Sequence, residues 1–240
     1  CKESVWQYKG MWEDFSRTVG FWADMDNPYV TYDNDYIESE WWALKSIYDR
    51  GLLYKGFKIV PYCPRCGTPL SSHEVAQGYK AVKERSAIVR FKVKGEDAYF
   101  LAWTTTPWTL PSNVALCVNP KDTYCKVKAA DGCTYYLAQP LLDAVLGRLK
   151  TEDAPAYEVL EEMPGTALEY KEYEPLFACA AECAEKQKKK GFYVTVADYV
   201  TMGDGTGIVH IAPAFGEDDA QVGRRYDLPF VQFVDGKGHM

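Results

Sequence analysis

The stretch Trp103-Thr-Thr-Thr-Pro-Trp-Thr-Leu-Pro-Ser-Asn113 crowds four threonines, two prolines and two tryptophans between two apolar, strand-like runs. A plain strand has no need for three adjacent hydroxyls followed at once by a proline, which removes a backbone donor. The segment reads as a strand end opening into a rigid polar loop. Such a loop presents hydroxyls and freed backbone groups to a ligand from a firm scaffold.

Upstream of it, Ala98 to Trp103 forms a continuous buried-strand run. Before that, Val89, Phe91 and Val93 alternate with Arg90, Lys92 and Lys94, the period of a half-exposed strand. Further strands are expected over 114–118, 123–128, 133–138, 157–161, 192–200 and 206–212, with helices over 139–148 and 175–190. Many short strands broken by a few helices, with no regular βαβ alternation, predict an α+β fold: a β-barrel-like domain with peripheral helices over 83–240. Residues 1–82 read as a mainly helical segment. Trp12, Phe15, Val19 and Trp22 make one apolar stripe, and Ile37, Trp41, Leu44 and Tyr48 make another. Asp35 with Glu38 resembles a capping pair, and Gly51 stands where a helix C-cap is expected.

With 240 residues, 47% of them apolar, the chain has ample material for a core. Its net charge of −7 argues against nonspecific coating of nucleic acid but leaves room for a local basic face. No segment approaches the roughly 18 to 20 apolar residues that span a bilayer, so no membrane partner is expected. Eight cysteines without a dense spaced framework point to a reducing cytoplasm. Cys117, Cys125 and Cys133 read as core thiols.

A second informative segment is Gly203-Asp-Gly-Thr-Gly-Ile-Val-His210-Ile-Ala-Pro-Ala-Phe-Gly-Glu-Asp-Asp219. Strand alternation puts Val209 and Ile211 on one face and His210 on the other, where it can point into a pocket. Glu217, Asp218 and Asp219 would fill the first turn of a helix. By itself that cluster is explained by compensation of the helix dipole, and a lone strand histidine by a hydrogen-bonded core position.

These two segments, in this order, resemble the two editing peptides of the isoleucyl branch of the class I aminoacyl-tRNA synthetases. Thr106, where the valyl and leucyl branches carry arginine, and Trp108 favour the isoleucyl branch. The run Val60-Pro-Tyr-Cys-Pro-Arg-Cys-Gly-Thr-Pro-Leu-Ser71 looks like the eukaryote-like version, which some bacteria also carry. The resemblance covers nearly the whole chain. It implies that 1–82 is a connective piece of the catalytic core and 83–240 most of the editing domain, continuing past Met240. The signatures His-Ile-Gly-His and Lys-Met-Ser-Lys-Ser of the family's ATP site do not occur in the chain, so no synthesis of aminoacyl-adenylate is expected from it.

Carried over residue by residue, the resemblance implies hydrolysis of mischarged valyl-tRNA(Ile), and of valyl-adenylate, on behalf of an enzyme that attaches isoleucine to tRNA(Ile) with ATP. Thr104, Thr105, Thr106 and Asp219 would serve catalysis. Trp108, Thr109, Asn113, His210 and Asp219 would bind substrate. In this scheme Asp219 holds the α-ammonium group and His210 excludes isoleucine while admitting valine. The threonines hold the terminal adenosine and a water. The expected partners are the tRNA(Ile) acceptor end, valine and valyl esters, met by a monomer. The alternative is a non-catalytic module that binds the tRNA acceptor.

Editing itself would need no cofactor. Cys63-Pro-Arg-Cys66-Gly67 has the turn of half a zinc knuckle, and the resemblance places the other two ligands beyond residue 240; a metal-free knuckle is the alternative. Lys186, Lys188, Lys189 and Lys190 read either as a solvated helix C-terminus or as a tRNA phosphate contact.

Overall fold

A computed structural model describes residues 2–151 and 154–240. The chain divides into two compact units, Cys1–Phe57 and Lys58–Met240.

The first unit holds α1 (Lys2–Thr18) and α2 (Asn34–Asp49), as the two apolar stripes require. Neither helix contains a buried residue, and Trp12 and Trp41 remain about two-thirds exposed. The start of α2 differs from expectation: its cap is Asp33, so Asp35 and Glu38 fall inside the helix and form no capping pair. Its end follows the sequence. Gly51 takes φ +69°, its N–H donates to the Tyr48 carbonyl and the Leu52 N–H to that of Ile47. This is the two-bond C-terminal closure that a left-handed residue allows.

The second unit opens with the hairpin β1 (Tyr62–Cys63) and β2 (Thr68–Pro69), then the short helix α3 (Ser72–Gln77). The main sheet follows. Its strands are β3 (Ala87–Lys92), β4 (Tyr99–Thr104), β5 (Ala115–Val118), β6 (Thr123–Ala129), β7 (Thr134–Ala138), β8 (Tyr157–Pro164), β9 (Tyr193–Val196) and β10 (Ile208–Ile211). Interspersed are α4 (Leu142–Leu146), α5 (Ala178–Gln187) and α6 (Glu217–Arg225). The spatial order is β8-β6-β7-β4-β10-β5-β9, with β3 attached to β4. The α+β expectation therefore holds in a curled, mixed sheet. The run expected as a strand over 192–200 is shorter, because regular pairing ends at Val196 and the chain leaves the sheet before Tyr199.

The sheet's burial follows its sequence. Phe91 of β3 points inward while Ile88 and Arg90 are exposed, and β5 and β9 are buried at every position. Tyr124, Tyr135, Tyr136 and Tyr173 are at most 2% exposed, so much of the aromatic content is core. Each such side chain contributes roughly 1.5 to 3 kcal/mol by leaving water. Of the three spaced thiols, Cys117 and Cys125 are fully buried but Cys133 is only partly so.

The site depends on one feature of the topology. β10 lies between β4, to which it runs parallel, and β5, to which it is antiparallel. Parallel pairing brings the C-terminal ends of β4 and β10 to the same edge of the sheet. The threonine loop after Thr104 and the segment after Ile211 therefore meet, although about a hundred residues separate them in sequence.

Candidate functional site

Where those two strand ends meet, a cleft of about 400 Å³ is lined by Thr104, Thr105, Thr106, Trp108, Thr109, His210 and Asp219. Seven of the eight residues singled out for the site are thus brought together. The eighth, Asn113, is 2% exposed and is not part of the lining. Its amide nitrogen donates to the Ala115 carbonyl at 2.8 Å and its oxygen accepts from the Tyr173 hydroxyl at 2.6 Å. Asn113 closes the threonine loop from behind.

The four threonines divide into two roles. Thr104, the last residue of β4, turns its hydroxyl back to accept the Thr106 N–H at 3.0 Å. Thr109 lies in the 3-10 helix Pro107–Ser112, which begins and is interrupted by proline. Its hydroxyl donates to the Thr106 carbonyl at 2.8 Å. Those two side chains are 5% exposed and shape the loop. Thr105 is exposed and Thr106 half-exposed, both at the cleft. Trp108 stands at the rim, 56% exposed.

His210 Nε2 lies 3.1 Å from Thr109 Oγ1. A threonine hydroxyl has one proton, and that of Thr109 goes to the Thr106 carbonyl, so Nε2 carries the imidazole proton and donates it. Nδ1 is then a bare acceptor, and it is buried with no partner in the structure. Burial pushes the His210 pKa down to about 4, which leaves the ring neutral at physiological pH and unsuited to hold a charge. Strict alternation does not survive here. Ile208 and Ile211 are fully buried, whereas the neighbours Val209 and His210 both border the cleft.

Asp219 sits in the first turn of α6, where Gly216 is the N-cap. Its Oδ2 accepts the Ala212 N–H at 2.9 Å. Burial pushes its pKa up to about 6, the Asp218 carboxylate adds to the rise, and the Ala212 N–H and Tyr199 hydroxyl act against it. No lysine or arginine lines the cleft. A carboxylate so placed gains most from a cation brought by a ligand, through a charge-assisted hydrogen bond.

Sequence reasoning missed Trp103, Tyr199, Val209, Phe215 and Gly216, which complete the lining. Only Phe215 and Gly216 carried a signal, through their place between Pro213 and the acidic turn. The first unit has a larger hollow of about 680 Å³, among Tyr29, Asp33, Asp35 and Glu40. It lacks the mixture of hydroxyls, imidazole and buried carboxylate.

At the knuckle, the Cys66 N–H points at Cys63 Sγ, 3.4 Å away. Gly67 closes the turn at φ +69°. Two sulfurs suit half of a tetrahedral zinc site, which needs four ligands. Among the described residues no cluster of three His, Cys, Asp or Glu side chains forms. His73 hydrogen-bonds Gln77 instead. In the lysine run, Lys189 pairs with Asp227 at 2.6 Å and Lys190 with Glu172 at 2.7 Å.

The family model of class I tRNA synthetases (I, L, M and V) matches residues 1–206. The chain belongs to this family. Within the class I tRNA synthetases it is 58% identical to the isoleucine–tRNA ligase of Clostridium acetobutylicum and 48% identical to that of Thermus thermophilus. These matches take in 99% and 100% of the chain, respectively. It spans 22% of the length of either relative. A looser likeness exists to the solved editing domain of the cytosolic leucyl-tRNA synthetase of P. knowlesi. There the TM-score is 0.45 at 15% identity, over 63% of this chain and 66% of that one.

Proposed function

We propose that the cleft is the hydrolytic proofreading site of an isoleucine–tRNA ligase, clearing valine esterified to tRNA(Ile) and valyl-adenylate. The observation that carries this reading is the convergence of the threonine loop and Asp219 on one cleft with no cation of its own. An aminoacyl ester supplies what such a cleft lacks: an ammonium for Asp219, a small apolar side chain to set against His210 and Val209, and a carbonyl for the threonine hydroxyls to face.

In the proposed reaction a water oxygen bonds to the ester carbonyl carbon, the bond to the ribose oxygen breaks, and the water's proton ends on that oxygen. His210 offers no accessible acceptor, so no general base is assigned to it. Thr105 and Thr106 position the water, and rate comes from orientation and from hydrogen bonds to developing charge. A second sieve of this kind is needed because one methylene changes binding by only about 1 to 3 kcal/mol, a case for which isoleucine against valine is itself the standard illustration.

Residues 1–82 then form a connective piece of the synthetase core and 83–240 its editing domain, acting as a monomer on the tRNA acceptor end. The seven described cysteines are all unbridged, which favours a cytoplasmic setting. No helix of the structure is long and apolar enough to cross a membrane. The test is to mix the protein with valyl- and isoleucyl-tRNA(Ile). Selective loss of the valyl ester is expected. Equal slow loss of both would sink the reading, and binding without hydrolysis would favour an acceptor-binding module.

A further inference from the structure

Tyr199 belongs to neither of the two segments that announce the site, yet its ring borders the cleft beside Asp219. It follows β9 in a stretch without regular structure, and its hydroxyl reaches two side chains. One is the Asp219 carboxylate; the other is the thiol of Cys117. Cys117 is fully buried on β5, opposite Thr195 of β9, so Tyr199 is held from below by the sheet.

We propose that Tyr199 is a positioning residue: with the Ala212 N–H it holds the Asp219 carboxylate in the one orientation that presents it to the ammonium of an aminoacyl ester. The idea rests on the proofreading assignment above and adds a part to it.

The protonation states fit. Burial holds the Tyr199 phenol well above its ordinary value and the Cys117 thiol up at about 11, so at neutral pH both keep their protons and Tyr199 is a donor. The groups facing Asp219 are few. Asp218 on the same helix repels it, Cys117 of β5 and His210 of β10 are neutral, and the loop threonines are uncharged. Against burial and Asp218, the Ala212 N–H and the Tyr199 hydroxyl are the two groups that favour its ionised form. Removing a hydrogen bond to a charged group should therefore raise the pH at which the site becomes competent.

The test uses Tyr199→Phe, which keeps the ring. In ligand-free protein the carbon-13 shift of the Asp219 carboxyl is followed against pH; the midpoint should rise by about one unit. In parallel, KM for valyl-tRNA should rise about threefold at pH 6.5 with kcat unchanged, and the difference should vanish by pH 8. Gly216→Ala gives the benchmark for simple displacement. A Cβ there would lie 3.1 Å from Asp219 Cγ and 3.3 Å from Oδ2, and its KM penalty should persist at pH 8. An unchanged midpoint in Tyr199→Phe overturns the proposal, as does a KM loss that persists at pH 8 like that of Gly216→Ala. A shifted midpoint with KM unchanged at every pH leaves the Tyr199 contact standing and refutes the ammonium role of Asp219 instead.

Discussion

Two carboxylates at opposite ends of β4 show what distinguishes a site from a scaffold. Glu96, in the turn that leads into the strand, accepts from Lys126, from Lys171 at 2.8 Å and from the Tyr136 hydroxyl at 2.8 Å. Burial alone would push its pKa up, but the two ammoniums and the phenol prevail and hold it at about 2. Asp219, beside the strand's other end, has a backbone N–H and a phenol but no cation, and burial pushes it up to about 6. One carboxylate has its partners built in. The other is left in a cleft with its charge unmatched, a cost that folding alone does not repay and that a cationic ligand would.

Replacing each should separate the two roles, with the largest effect at the cleft. Asp219→Ala removes the ammonium anchor and should lower deacylation of valyl-tRNA more than a hundredfold; near-normal turnover would refute its role. Asp219→Asn should lose activity similarly while leaving stability at pH 7 unchanged or higher. The sign follows from its raised folded pKa: the stabilisation it gives is full below the unfolded value near 3.8 and is gone once pH passes about 6.

Glu96→Gln should do the opposite, costing about 2 kcal/mol at pH 7 by denaturant unfolding with editing unchanged. Here the folded pKa is depressed, so the stabilisation is present above the unfolded value near 4.5 and is lost as pH falls toward 2. A Glu96→Gln protein as stable as the parent at pH 7 would erase the contrast.

The same contrast explains what the sequence could reveal. The threonine loop and the 203–219 segment were legible because each compresses unusual residue types into one local stretch, and the strand and helix periods around them predicted the α+β fold. What was illegible depends on long-range pairing. Asn113 reads as a binding amide until Tyr173, sixty residues later, is seen to occupy it. Tyr199 sits in no motif, and only the neighbouring β5 and α6 make it part of the cleft. Glu96 carries no local sign of its lysines at 126 and 171. The helix α3 is a different kind of miss, because Ser71 and Glu74 form a reciprocal capping box whose signature is local.

A smaller effect is expected at the wall that measures the side chain. His210 is neutral and anchored to Thr109, so its contribution there is bulk. His210→Ala should raise kcat/KM for isoleucyl-tRNA about tenfold with little change for the valyl ester, in keeping with the 1 to 3 kcal/mol that one methylene commands. Unchanged discrimination between the esters would show that another residue, with Val209 the nearest candidate, sets the limit.

The smallest effect is the dependence of affinity on pH, and it is the one that tests the unmatched charge without any substitution. If Asp219 binds the ammonium as a carboxylate, the competent fraction of free protein follows its own titration near 6. Between pH 7 and 5.5 that fraction falls about fourfold, while the substrate's ammonium stays protonated. KM for valyl-tRNA should therefore rise about fourfold over this range, and no other group lining the cleft titrates there to mask it, because His210 has already lost its proton above about 4. Glu96, held near 2, should leave no trace in the same window. A KM that is flat from pH 7 to 5.5 would mean either that Asp219 is ionised well below 6 in the free protein or that it does not meet the ammonium. The carboxyl titration in ligand-free protein decides between the two.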